Sequence, residues 1–146
     1  MYVMDHVMNR LSQRIEAVTN GFNDPAQVYA FGIRNVMIAA TSDTRWRWVL
    51  RRSEAIAGAM YRVIGPYAIR DIRNAVSAGR YRVEDPELAW RQASHAIAGF
   101  SLAVSDKTIL PAKLDEAVVN LLGMVGVRRA EAWEIARRPC ASLPAE

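Results

Sequence analysis

Two histidines, one cysteine and a scatter of carboxylates are the raw material for chemistry in this 146-residue sequence. His6 and His95 are far apart on different predicted helices. Ser94 and His95 are adjacent, and neighbours on a helix point about 100° apart, which is poor geometry for a nucleophile and its base. There is no Glu-x-x-His pair of the kind that di-metal helical bundles use, and no glycine-rich phosphate loop, HExxH or CxxC motif. No catalytic residue, metal or cofactor is therefore expected, and the chain does not read as an enzyme. What remains is a set of isolated polar groups among large apolar side chains. Asn35 falls inside an apolar helix face, and a buried amide needs hydrogen-bond partners, either on a neighbouring helix or in a bound molecule. His95 sits in the middle of an apolar helix with the same two readings. Phe31, Trp46, Tyr61, Trp90 and Phe100 supply apolar walls. A mainly apolar cavity with a few polar groups is what a small-ligand site looks like, although aromatics on inward faces also fill ordinary cores. These seven residues are the candidate ligand-binding set.

The elements that must position them are all helical. Met4, Val7, Leu11, Ile15 and Val18 recur at three and four over residues 2–20, with Asn20-Gly21 as the stop. Asp24-Pro25 restarts a helix to about residue 41, with Val28, Phe31, Gly32, Val36 and Ala39 on one face. Asp43 opens a third stretch that either persists to Gly65-Pro66 or breaks near 53–58. It carries Trp46, Val49, Leu50, Ala57, Met60 and Ile64 inward and Arg45, Arg47, Arg51 and Arg52 outward. Trp48 lies on that basic side, either under arginine stems or free to stack on a nucleic-acid base. Pro66 opens a short helix that Gly79 ends. Asp85-Pro86 starts the central helix, 85–104, which is apolar almost all round and must be covered on most of its flanks. Its stripe of Ala89, Ala93 and Ala96 admits a close neighbour, either another helix of the same chain or a second copy. Pro111 begins a helix with a wide apolar arc of Leu114, Ala117, Val118, Leu121, Leu122 and Val125. A short amphipathic helix ends at Pro139, and 139–146 reads as an irregular tail. No strand, repeat or low-complexity segment is visible.

Composition bounds the answer further. Half the residues are apolar and 23% are charged, which describes one globular domain over 1–146. No apolar run approaches the roughly 20 residues of a membrane span, and no signal peptide is visible. The single Cys140 fits a reducing cytoplasm. The net charge of +4 is carried almost wholly by arginine and spread over several helices, which permits contact with nucleic acid without arguing for it.

Three stretches carry a resemblance: AVSAGRYRVEDPELAW, DEAVVNLLGMVGVRRAEAWEIARRP and SDTRWRWVLRR. Their order resembles the C-terminal ligand-binding and dimerisation domain of TetR-family transcriptional regulators. That resemblance implies an all-α orthogonal bundle of about six to seven helices. It implies a homodimer in which helices 85–104 and 111–125 pair with their two-fold mates as a four-helix bundle. Ala89, Ala93, Ala96, Leu114, Ala117, Val118, Leu121, Leu122 and Val125 are then the expected interface. It also implies a small apolar or aromatic effector that changes the tilt of a connecting helix, residues 1–20. Such regulators place a helix-turn-helix reader before that helix. None is present here, so sequence-specific DNA contact is expected only through a segment outside this chain. The other reading is a helical protein-interaction module without a ligand.

Overall fold

The computed structural model describes residues 2–146; Met1, counted with the expected connecting helix, lies outside the described residues. Among the described residues eight α-helices follow one another: α1 (Tyr2–Thr19), α2 (Pro25–Ser42), α3 (Thr44–Leu50), α4 (Ser53–Ala59), α5 (Gly65–Ser77), α6 (Pro86–Ser105), α7 (Leu114–Met124) and α8 (Arg129–Ala136). A π turn, Met60–Ile64, joins α4 to α5, and a 3-10 turn, Pro111–Lys113, leads into α7. No strand occurs among the described residues.

Three aspartates start helices as their positions predict. Asp24 accepts from the Ala26 N–H at 3.0 Å, Asp43 from Arg45 at 2.9 Å and Asp85 from Leu88 at 3.1 Å, each satisfying a first-turn donor that the helix leaves free. The third stretch departs from both expectations. It breaks at Arg51–Arg52, before Ser53, and it does not break at Pro66. Pro66 has no N–H to donate, and the helix accommodates it by widening one turn. The Gly65 N–H reaches five residues back to the Met60 carbonyl, and the helical path continues into α5. Gly65 also leaves room for the indole: a Cβ on it would lie 3.3 Å from Trp90 Nε1, a tight contact.

The bundle is built around α2. This helix touches α1, α3, α5, α6, α7 and α8, and its buried residues point to every side. The central role expected for α6 is corrected accordingly. Its own chain covers one flank, through Ala89, Trp90, Ala93, Ser94, Ile97, Ala98 and Ser101, and leaves the other open. The expected interface set divides in two. Ala89, Ala93, Val118, Leu121, Leu122 and Val125 are buried inside this chain's own core, on the faces that pack α6 and α7 into the bundle. Ala96 is exposed, and Leu114 and Ala117 are half-buried. Residues 137–146 form no helix, yet they are docked: Leu143 packs on the core and Arg14 donates to the Pro144 carbonyl at 2.8 Å.

A candidate effector slot beside the first helix

A narrow slot opens between α1, α2, the end of the π turn with α5, and α6. Its cavity volume is about 30 Å³, room for one or two water-sized groups. Ile15, Ile33, Val36, Ile64, Ala68 and Trp90 make its walls, and Gly32 turns its bare Cα towards the Ile15 side chain. Trp90 is held by its indole N–H, which donates to the Met60 carbonyl at 3.4 Å, the same oxygen that closes the π turn. The irregular turn thus orients a ring of the slot.

The polar groups of the slot are few and unequal. Ser12 and Tyr29 are 4% and 1% exposed, and neither hydroxyl has a hydrogen-bond partner in the protein. A buried hydroxyl without a partner is destabilising by about 1–3 kcal/mol, and a water or one small polar group in the slot would satisfy both; the Trp46 indole N–H and the Ser101 hydroxyl, in the core outside the slot, are in the same condition. Burial pushes the Tyr29 phenol well above its ordinary value, so it is a neutral donor and acceptor across the physiological range. Burial also raises the Asp71 carboxyl, with the neighbouring Arg70 guanidinium offsetting part of the effect. Glu16, Thr19, Tyr67 and Arg70 complete the rim. This combination of apolar walls, two neutral hydroxyls and one desolvated carboxylate suits the faces and polar edge of a small flat molecule, which the slot admits only once its helices part. Nothing in it is arranged as nucleophile and base.

Of the residues singled out from the sequence, Trp90 alone lines this slot. The other six lie elsewhere. Phe31 and Asn35 line a different groove, between α1, α2 and residues 140–146, where the Asn35 amide donates to the Phe31 carbonyl at 2.9 Å and Phe31 meets Phe22 edge-on at 5.2 Å. Trp46 is wholly buried in the core. Tyr61 is half-buried with the Arg91 guanidinium 3.9 Å over its ring, and Phe100 is half-buried against the core. His95 is exposed, its Nδ1 lying 2.9 Å from the Arg91 carbonyl of its own helix. The reason is the apolar character of α6: with apolar residues on every side, periodicity could not say which flank the chain covers. Missed altogether were Ser12, Tyr29, Tyr67 and Asp71. Their only signal was spacing, Tyr29-Gly32-Ile33-Val36 on α2 and Tyr67-Asp71 on α5.

A family model described as tetracyclin repressor-like, C-terminal domain, matches residues 24–138. The chain belongs to this TetR C-terminal-domain family. A search of the curated proteins returns no match. Among solved structures, RolR in complex with the ligand resorcinol superposes with a TM-score of 0.88 at 26% identity, over 98% of this chain and 71% of RolR. RolR without ligand superposes with a TM-score of 0.86 at 26% identity, over 98% of this chain and 74% of RolR. The all-α bundle is therefore a TetR-type regulator fold, with a ligand-bound relative. No helix among the described residues is long and apolar enough to cross a membrane.

Proposed function

We propose that this chain is the effector-sensing and homodimerising domain of a TetR-type transcriptional regulator, and that its effector is a small aromatic molecule carrying at least one hydroxyl. The observation that carries the effector class is the pair of buried hydroxyls without partners, Ser12 and Tyr29, beside the desolvated Asp71 in an otherwise apolar slot. A purely apolar ligand would leave both hydroxyls unsatisfied. The resorcinol bound by RolR has the ring and the hydroxyls that such a slot asks for. Because Glu16 and Thr19 of α1 form part of the rim, occupancy of the slot bears directly on α1, the helix that leads towards a DNA-binding segment in regulators of this type. A ligand shifts that helix only in so far as it binds one of its positions better.

Titration with resorcinol, phenol and toluene, followed by calorimetry and thermal shift, tests the reading. The hydroxylated rings are expected to bind more tightly than toluene. Tyr29→Phe is expected to weaken the hydroxylated rings about tenfold, the effect of one lost hydrogen bond, and to leave toluene unchanged. Toluene binding as well as phenol, or no ring binding at all, overturns the effector class; the second outcome favours a ligand-free interaction module.

The dimer is proposed on the open flank of α6 and the adjoining face of α7. Leu88 and Met124 are 52% and 43% exposed there, and a Cβ built on Gly99 or Gly123 meets nothing within 4 Å. Bare Cα positions on two neighbouring helices let a second pair approach closely. One self-complementary patch then serves both subunits.

A further inference from the structure

Arg70 touches both the slot and the helix that the slot is proposed to move. Its Nη2 and Nε donate to Asp71 Oδ1 at 3.0 and 3.3 Å, and its Nη1 donates to Glu16 Oε1 at 2.7 Å. Glu16 belongs to α1 and Asp71 to α5, and all three residues line the slot. The guanidinium also lies over the ring of Tyr67, 5.6 Å from its centroid. The two carboxylates are unequally placed: the Asp71 side chain is 11% exposed and that of Glu16 28%. An isolated surface ion pair contributes little. Here one guanidinium is divided between two acceptors at a cavity mouth, so whatever engages one acceptor changes what the other receives.

The rest of α1 is tethered elsewhere. Asp5 accepts from Arg62 at 2.7 Å and Arg14 donates to Pro144 at 2.8 Å, and none of these four residues lines the slot. Those contacts do not depend on what the slot contains. The pair of Arg70 and Glu16 does.

We propose that Arg70 is the latch through which the slot acts on α1: an effector hydroxyl that donates to the Asp71 carboxylate weakens its hold on Arg70, and the guanidinium, already 2.7 Å from Glu16, then binds Glu16 more strongly and holds the C-terminal half of α1 more firmly to α5. The inference rests on the effector reading above. It makes Glu16 a positioning residue, one that carries the response without holding the ligand. It also makes the hydroxyl the active part of the effector, since a ring without a donor fills the slot but leaves Arg70 on Asp71.

Hydrogen exchange over residues 8–19, with and without resorcinol, tests the latch in the full 146-residue protein and in Glu16→Gln. Glu16 lies outside the core, so the variant is expected to fold. In the unaltered protein, saturating resorcinol is expected to slow exchange in this segment by about threefold or more. In Glu16→Gln, the slowing at saturating resorcinol is expected to disappear and the affinity to fall modestly with it, by about threefold, because a coupling between two sites acts equally on both. Slowing that persists in Glu16→Gln overturns the latch, and so does a loss of affinity of about tenfold or more, which would make Glu16 a ligand contact. Failure of resorcinol to bind the unaltered protein counts against the effector reading itself, before the latch is reached.

Discussion

Asp24 does two jobs with one carboxylate. It caps α2, and it accepts from Arg80 at 3.0 Å and from Arg138 at 2.6 Å, while those arginines also hold Glu131 and Glu134 on α8. The Arg80 guanidinium, with help from Arg138 and the Ala26 N–H and against the cost of burial, keeps its carboxyl well below the usual carboxylate range. A carboxyl whose folded value is depressed stabilises the protein fully above its unfolded value, and loses that contribution as pH falls through the folded value. Asp24→Asn keeps a good cap but removes the charge. It is expected to cost about 1–2 kcal/mol at pH 7, and to flatten the fall in stability below about pH 4. Urea melts at pH 7 and pH 3 measure both; equal destabilisation at the two values would separate Asp24 from the acid limb. The capping role was legible from Asn23-Asp24-Pro25. The two arginines, 56 and 114 positions away, were not.

At the scale of elements, the joints decide more than the helices. Gly126 follows α7 with φ at +84°, and a Cβ there would sit 2.7 Å from Arg82 Cβ and 2.9 Å from the Arg82 carbonyl oxygen. The link before α6 passes over this glycine, and the Arg82 N–H donates to Val125 O at 2.9 Å. Gly126→Ala therefore meets both a backbone conformation that alanine resists and a backbone clash. It is expected to lower stability by about 3 kcal/mol in a denaturant melt. Gly123→Ala, three residues away with open space above it, is expected to change the monomer's stability by less than about 1 kcal/mol. The sequence marks Gly126 as a helix end, and it is one. That the glycine is also required by a strand of chain over 40 residues earlier depends on packing. The π turn has the same character. Gly65-Pro66 reads as a stop, but Trp90 and the Met60 carbonyl turn it into a widened helix that continues.

For the whole molecule the open question of the sequence was where the surplus apolar surface of α6 goes. Ala89, Trp90, Ala93, Ile97 and Ala98 go into this chain's own core, with Phe100 and Leu102 packed against it, while Leu88, Ala96 and Gly99 face outward. Gly99→Arg places a charged side chain on the proposed two-fold face without touching the core. It is expected to turn a dimer into a monomer in size-exclusion with light scattering, with little change in far-UV circular dichroism. Ala93→Arg is expected to unfold the chain instead, since Ala93 is 2% exposed. A monomer at micromolar concentration before any substitution would remove the dimer proposal.

The amino-acid sequence by itself determined the helices and most of their ends, because capping aspartates, prolines and glycines act within a few residues of where they stand. It also determined the family, through the order of three patterned stretches. Which residues form the slot was settled by tertiary structure alone. Ser12, Tyr29, Tyr67 and Asp71 meet only because α1, α2 and α5 converge there, and a helix such as α6, apolar on every flank, carries no local signal of which side will be covered.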